Sequence, residues 1–499
     1  MLIAVSGPLR GLTPPSGSGH WGQTPIAWIH TPFGLGLMTG AVYFGGTLYW
    51  LVQTMTTFGG LATPVAALAA AMLVAYLSLF PAMFAWIQSR LFRALGTRAL
   101  LLAPFVWVAT EMGRTYLWDG FPWELLGYSQ VTVLPVAQLA SVVGVYGLSA
   151  FVAMVSAAAA YTALEQSARR WQIGTVTAAL VLTSAAWGAA RVRAQTLISE
   201  GTPIRVAVLQ GNIPQEQKDE AYRGDRGLMD AIAQRYIDMS REAIGRGARF
   251  ILWPESSTPY YYEQDLVRGD AVRRLAREAH VTILLGSDQI EPVRPVAMGK
   301  PPEARYYNAA FLVRPDGSTG AIYRKIHLVP FGEYVPLKRI LFFVGPLVEA
   351  VSDFSAGRDA VLLPVAGHMA STAICYEVIY SSLIRSFVVR GSELLTTITN
   401  DAWYGWSSAA YQHWEQASMR AIEQGRYLAR AANTGISGFV DPYGRVVQKS
   451  DMFQSAVMVA DLHFISARTI YSRIGDLIGW VSVMLTAAAL LATRRPRVQ

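Results

Sequence analysis

Residues 369–377 read MASTAICYE, a short apolar run that ends on Cys375 and is followed at once by Tyr376 and Glu377. Such a run, with an amphipathic stretch after it at about 380–390, predicts a buried strand that delivers a thiol to the start of a helix. The pattern repeats on both sides. Strand candidates at 204–210, 249–253, 281–286, 308–314, 394–399 and 436–441 alternate with helix candidates at 227–246, 265–280 and 410–430. Apolar runs of this length between longer helical patterns predict an α/β fold whose sheets are covered by helices. The domain is bounded at 202–465, long enough to bury a substantial core. In such folds chemistry collects where strands end in loops, which makes Cys375 a candidate nucleophile. It is the chain's one cysteine, so an intrachain disulfide is excluded. A lone cysteine closing an apolar strand is, by itself, more often packing than chemistry.

Outside that domain the composition changes. The 499-residue chain is 52% hydrophobic and 15% charged, whereas soluble domains carry about 25% charge. The apolar residues concentrate in 33–190 and 476–493. A helix needs about 20 apolar residues to cross a bilayer, and spans are expected near 33–53, 63–87, 99–118, 133–161, 173–190 and 476–493. Five of them form a membrane domain over 33–190, and the sixth is a C-terminal helix. The third carries Glu111 and Arg114, which stand three apart on one helix face and are expected to pair, because ionisable groups at membrane depth need protein partners. Arg90, Arg93 and Arg98 follow the second span, Arg169 and Arg170 the fourth, and Arg494, Arg495 and Arg497 the sixth. Loops 54–62 and 119–132 contain no Lys or Arg. The positive-inside rule then puts the three basic segments in the cytoplasm and the 202–465 domain on the opposite, periplasmic side of a bacterial inner membrane. The net charge of +8 is accounted for in part by these short loops, not by one basic face, which argues against a nucleic-acid partner. Residues 1–32, rich in Gly, Pro, Ser and Thr, are expected to be irregular and lack the pattern of a signal peptide.

Two further segments belong with Cys375. Trp253-Pro254-Glu255-Ser256 follows a strand candidate, and Tyr323-Arg324-Lys325 follows a hairpin-like turn at Pro315-Asp316-Gly317. A carboxylate, an ammonium and a thiol form a coherent set. Glu255 can take the thiol proton as general base, Lys325 can favour the thiolate and stabilise an oxyanion, and Cys375 can attack a carbonyl to give a thioester that a second nucleophile resolves. Each residue alone has a bland reading as a rim charge. No HExxH or CxxC spacing is present, and no metal, nucleotide or flavin cofactor is predicted. Loop 256–264 (STPYYYEQD) and the apolar stretch 334–356 are candidates for the rim of the entrance, the latter either as a buried loop or as a lid that dips into lipid.

At these segments the sequence resembles the nitrilase, or carbon–nitrogen hydrolase, superfamily, with Glu255, Lys325 and Cys375 matching its Glu–Lys–Cys motifs in order. The stretches Gln210-Gly211-Asn212-Ile213-Pro214, His327 to Glu333, Cys375-Tyr376-Glu377, Thr399 to Gly405 and Arg420 to Gly435 are similar to one membrane branch, the apolipoprotein N-acyltransferases. Gly120-Phe121-Pro122-Trp123 and Gly127-Tyr128-Ser129-Gln130 in the membrane part are similar to it too. The resemblance runs from about residue 33 to the C-terminus. It implies a multi-span α-helical membrane domain plus a nitrilase-like α-β-β-α sandwich. It also implies transfer of an acyl chain from a phospholipid, through a cysteine thioester, to the α-amino group of an S-diacylglyceryl-cysteine apolipoprotein at the lipid bilayer. By the same resemblance Glu333 and Glu377 line the site and Tyr376 supports the nucleophile. Two departures stand out. The family has eight spans where six are read here, with 1–32 in place of the first two, and its Trp just after Lys218 is Asp219 in this chain. A membrane-tethered amidase and a silent membrane scaffold are the alternative readings; the complete triad argues against the scaffold, and the multi-span domain against the amidase.

Overall fold

The computed structural model describes residues 30–118, 120–292, 304–330, 332–334 and 354–494. The segments expected to be irregular (1–32) and lid-like (334–356) lie almost wholly outside these. The chain divides into two compact units, one drawn from 1–56, 62–193 and 474–499, the other from 57–61 and 194–473.

The first unit is helical. Helix α1 (Pro32–Thr47) begins with Thr31, whose hydroxyl accepts from the Gly34 amide at 3.0 Å, and with proline at its first position, where its missing N–H costs nothing. It is followed by α2 (Trp50–Thr57), α3 (Thr63–Leu95), α4 (Ala103–Tyr116), α5 (Ala140–Leu164), α6 (Arg169–Ala194) and a C-terminal helix, Leu477–Ala492. Thr63–Tyr116, Ala140–Leu164 and Arg169–Ser199 are long and apolar enough to cross a membrane, and α1 with α2, bent by 52°, makes a fourth if counted as one span; Leu477–Ala492 is a shorter apolar helix. The expected spans at 63–87 and 99–118 form one helical stretch. Residues 88–95 contain no glycine or proline, so α3 continues through Arg90 and Arg93 until Gly96 (φ +60°), and a 3-10 turn over Gly96–Leu102 leads into α4. Helices α1 and α3 touch through small residues: a side-chain carbon on Gly36 would lie 2.4 Å from the Pro81 carbonyl oxygen, and one on Gly40 2.6 Å from Ser78 Cα. Close backbone approach of this kind is how helices associate where hydrophobic burial gives no gain. The expected Glu111–Arg114 pair is replaced by a double clamp. Glu111 Oε1 accepts from the Leu126 amide (2.8 Å) and Trp107 Nε1 (3.1 Å), while Arg114 donates to the Trp123 and Glu124 carbonyls (2.6 and 3.2 Å). Both charges therefore hold the 121–126 loop, because its backbone groups need partners that lipid cannot supply.

The second unit is an α/β sandwich of two six-stranded sheets. The first has the order β12-β1-β2-β3-β4-β5, with β1 Thr202–Gln210, β2 Phe250–Leu252, β3 Thr282–Pro292, β4 Ala304–Val313, β5 Thr319–Arg324 and β12 Ala456–Phe464. The second has the order β11-β10-β9-β8-β7-β6, with β6 Leu363–Val365, β7 His368–Ile374, β8 Leu394–Thr399, β9 Leu428–Ala432, β10 Gly438–Val440 and β11 Val446–Lys449. The pairs β1–β2–β3 and β7–β8–β9 are parallel, and the outer pairs are antiparallel. After α7 (Gln215–Tyr222), helices α8 (Arg226–Gly245) and α9 (Leu266–Ala279) bury Ile232, Tyr236, Val272 and Ala276 against Ile251, Ile283 and Phe311 of the first sheet. Helices α10 (Ser381–Arg390) and α11 (Ala409–Gln424) accompany the second sheet. Two sheets with helices outside them match the expected architecture. Three boundaries differ most: β3 runs on to Pro292, β4 begins at Ala304, and the helix expected over 410–430 stops at Gln424, because Gly425 (φ +61°) caps it, and 428–432 is the central strand β9.

Candidate active site

Strand β2 is three residues long because its continuation leaves the sheet as Trp253-Pro254-Glu255-Ser256 and crosses over β3. The crossing is possible only where β3 has no side chain. A carbon on Gly286 would lie 2.5 Å from the Pro254 carbonyl oxygen and 2.7 Å from Glu255 Cα. Ser256 then takes a left-handed backbone, φ +43°, and the Ser257 amide returns to the Gly286 carbonyl at 3.0 Å. Glu255 is held at 5% exposure, with its Oε2 accepting from the Asn400 amide (2.9 Å) and its Oε1 from Asn308 Nδ2 (2.7 Å).

Lys325 follows the last residue of β5, as expected, and is 1% exposed. Its Nζ lies 3.2 Å from Glu255 Oε1 and 2.8 Å from Glu333 Oε1. Asn308 Nδ2 also reaches Glu333 Oε1 (2.9 Å), and Glu333 Oε2 accepts from the Val329 amide (2.8 Å). Burial alone would pull the ammonium down, but the two carboxylates outweigh it and push it well above the usual lysine range. Lys325 is therefore a fixed positive charge.

Cys375 begins the turn Cys375–Ile379 at the end of β7, with φ +52°. A left-handed non-glycine residue costs about 1–2 kcal/mol and is held here by its surroundings. Glu377, fully buried, accepts from the Ile374 amide with Oε2 (2.7 Å) and from the Ile326 and His327 amides and the Tyr323 hydroxyl with Oε1 (2.6, 3.1 and 2.8 Å). It ties the Cys375 turn to the segment after Lys325. Burial pushes its carboxyl up to about 7, against the pull of those donors. From the other side His413 Nε2 lies 3.1 Å from the Cys375 carbonyl oxygen. A carbonyl can only accept, so Nε2 carries the hydrogen. His413 Nδ1 meets Asp401 Oδ1 (3.0 Å) and Arg430 (2.9 Å), and Arg430 also holds Asp401 Oδ2 (2.8 Å). Burial and the Arg430 charge hold His413 below the usual imidazole range, and the Asp401 carboxylate opposes them. Tyr376 is buried with its ring edge-on to Tyr380.

Burial pushes the Cys375 thiol well above the usual thiol range, and the negative charge of Glu255 adds to it; Lys325 and the Thr399 hydroxyl act in the opposite sense and are outweighed. Lys325 thus acts in the direction expected from the sequence, yet the resting group is a thiol. Of the charged groups that act on that sulfur, Glu255 raises its pKa most and Lys325 lowers it.

All six expected site residues, Glu255, Lys325, Glu333, Cys375, Tyr376 and Glu377, lie within the second unit. The fold adds Asn308, Asn400, Asp401, His413 and Arg430. Asn400 and Asp401 fall within the Thr399–Gly405 stretch, which assigns them no role by itself. Asn308 and His413 gave no signal, since their partners are 53 and 38 residues away in the chain. Among the described residues no group of His, Cys, Asp and Glu could hold a metal ion.

Residues 205–470 match the carbon-nitrogen hydrolase family model, and residues 24–158 match the apolipoprotein N-acyltransferase N-terminal domain. An apolipoprotein N-acyltransferase of Geobacter metallireducens is 34% identical, over 100% of this chain and 96% of its own length. Another, of Methylococcus capsulatus, is 36% identical over 91% of this chain and 85% of its own. Among solved structures, an amidase of the nitrilase superfamily from Nesterenkonia sp. AN1 aligns with a TM-score of 0.37 at 20% identity, covering 56% of this chain and 95% of its own. Nit3 of Saccharomyces cerevisiae aligns with a TM-score of 0.39 at 17% identity, covering 55% and 94%.

Proposed function

The chain belongs to the apolipoprotein N-acyltransferase family, and from that premise we propose that it carries an acyl chain from a membrane phospholipid to the N-terminal α-amino group of a diacylated apolipoprotein, through a thioester on Cys375. The observation that carries this reading is the buried Glu255–Lys325–Glu333 array (3.2 and 2.8 Å) within the electrostatic reach of a neutral thiol at a left-handed turn.

The steps follow from the groups present. Glu255 takes the thiol proton as Cys375 Sγ attacks the donor's ester carbon. Lys325, charged throughout, offsets the negative charge that develops on the carbonyl oxygen. The C–O bond breaks, and the departing lysophospholipid oxygen takes the proton from Glu255, which leaves an acyl thioester. The acceptor amine then attacks the thioester carbon, the C–S bond breaks, and the amide leaves. Glu333 and Asn308 hold Lys325 and Glu255 at their separations. The apolar helices of the first unit fit a lipid donor and acceptor, and the arginines at 90, 93, 98, 169, 170, 494, 495 and 497 support a catalytic unit on the periplasmic face of the inner membrane.

The test supplies a phospholipid with a labelled acyl chain and a peptide that begins with S-diacylglyceryl-cysteine. One labelled acyl group is expected on the α-amine of the peptide, none on an N-acetylated copy, and none with Cys375→Ala. Release of ammonia from small amides without acylation of the peptide would establish an amidase instead.

A further inference from the structure

The second half-reaction has a proton to lose. An α-amino group has an ordinary pKa of about 7.7–8.0, so near neutral pH the acceptor arrives mostly as an ammonium, with no lone pair for attack. One proton must leave before attack. A second leaves as the nitrogen becomes an amide nitrogen; Glu255 takes that one and returns it to the Cys375 sulfur as the C–S bond breaks. The first proton needs another acceptor.

The carboxylates near Glu255, Lys325 and Cys375 are nearly all committed. Glu333 is occupied by Lys325, Asn308 and the Val329 amide, Glu377 by three amides and the Tyr323 hydroxyl, and Asp401 by Arg430 and the Thr399 hydroxyl. Asp288 differs. Residues two apart on a strand share a face, and Gly286 is the position over which the Glu255 loop crosses. Asp288 therefore emerges beside that loop, and Ser256 Oγ lies 3.5 Å from its Oδ1. Across the ladder it pairs with Asn308, the residue that holds both Glu255 and Glu333. It is part-exposed where Glu255 and Lys325 are buried, and its hydrogen-bond partners are hydroxyls, those of Ser256 and Tyr222.

We propose that Asp288 is a second catalytic base, which receives the incoming α-ammonium of the acceptor and takes its first proton, leaving Glu255 free for the proton released during attack. The balance closes: thioester and ammonium become amide, thiol and one proton, carried on Asp288 until it passes to water. The charged and titratable groups facing Asp288 are Lys218 and Tyr222 of α7, Glu255 and Tyr261 of the loop after β2, and Glu333. Burial pushes the Asp288 carboxyl up to about 7; the Tyr222 hydrogen bond and Lys218 oppose this, and Glu255 and Glu333 add to it. Lys218 is a buried ammonium without a hydrogen-bond partner, lowered by burial to about 8. Asp288 accepts a proton only when ionised, so transfer to an ammonium acceptor rises with pH through about 7.

The inference rests on the thioester reading, and the experiment separates the two. Acyl-enzyme is formed from phospholipid, then discharged to the diacylglyceryl-cysteine peptide or to hydroxylamine, which is already neutral at pH 7. With Asp288→Asn at pH 7, discharge to the peptide falls about five- to tenfold more than acyl-enzyme formation, the limit being set by the share of the amine already neutral at that pH. That gap closes as the pH passes the amine's own pKa, and it is absent with hydroxylamine. Asp288→Glu recovers part of the loss. The wild-type enzyme alone gives an independent readout: a limb near pH 7 for the peptide that hydroxylamine discharge lacks. Equal loss in both half-reactions, a gap that does not change with pH, or the same wild-type limb for both nucleophiles would overturn the role of Asp288. Absence of any wild-type acyl-enzyme would overturn the thioester reading with it.

Discussion

At the scale of single residues the site is a set of saturated acceptors. Glu377 uses both oxygens on four donors, and glutamine in its place would turn an NH2 toward N–H or O–H groups. Glu377→Gln is expected to cost about 1–3 kcal/mol, the usual penalty for an unmatched buried polar group, and to slow acyl-enzyme formation. Thermal denaturation and single-turnover acylation measure the two effects; an unchanged melting temperature would contradict the account. His413 is a positioning residue, acting through the Cys375 carbonyl. Its donor is Nε2, which the amide nitrogen of glutamine can approximate. His413→Ala should lower the acylation rate about tenfold or more with little change in KM, and His413→Gln should restore much of it. Equal loss in both variants would show a merely structural role. Of the candidate site, Cys375 and Glu255 stand out in the sequence where apolar runs end and Lys325 after a hairpin-like turn, each with a bland alternative, while Glu333, Tyr376 and Glu377 enter by resemblance alone. Asn308, Asn400 and His413 do not stand out, because an amide or imidazole acquires its role only from partners the tertiary fold brings to it.

At the scale of elements the central contact is between β3 and the loop that leaves β2. Gly286 is there because the Glu255 backbone crosses where a Cβ would stand. Gly286→Ala should fold, since a buried alanine in a strand is otherwise unremarkable to the chain, but it forces Glu255 away from Lys325. A displacement of about 1 Å at a catalytic group costs on the order of 100-fold in rate. Acylation kinetics with circular dichroism as a folding control would test it, and wild-type rate would contradict the close crossing. Apolar runs placed β1, β2, β7, β8 and β10 within two residues at each end, fell short on β3 and β4, and gave no candidate for the other five strands. Strand β9 was hidden because Leu428–Ala432 continues the small, apolar pattern of α11, and only Gly425 marks the break. The exposed strand β11 carries no alternating pattern to read. In the helical unit, the change from apolar to charged residues near Gln88 marks the end of the expected span, whereas helix propensity carries α3 on to Leu95.

At the scale of the whole molecule, composition alone separated a helical unit from an α/β unit, and arginine placement gave the orientation proposed for them. That orientation can be measured with single cysteines in a Cys375→Ser background. Ser318→Cys, in the exposed β4–β5 turn, should react with a membrane-impermeant maleimide added outside intact spheroplasts. Ser167→Cys, exposed between α5 and α6, should react only after permeabilisation; the reverse pattern would invert the topology. The reaction itself is tested most directly by the intact mass of the purified protein after incubation with phospholipid and no acceptor. The mass of one acyl chain is expected on Cys375, removed by hydroxylamine and absent from Cys375→Ala and Glu255→Ala. Well-folded wild-type protein that gains no mass, or gains it at any other residue, would contradict it.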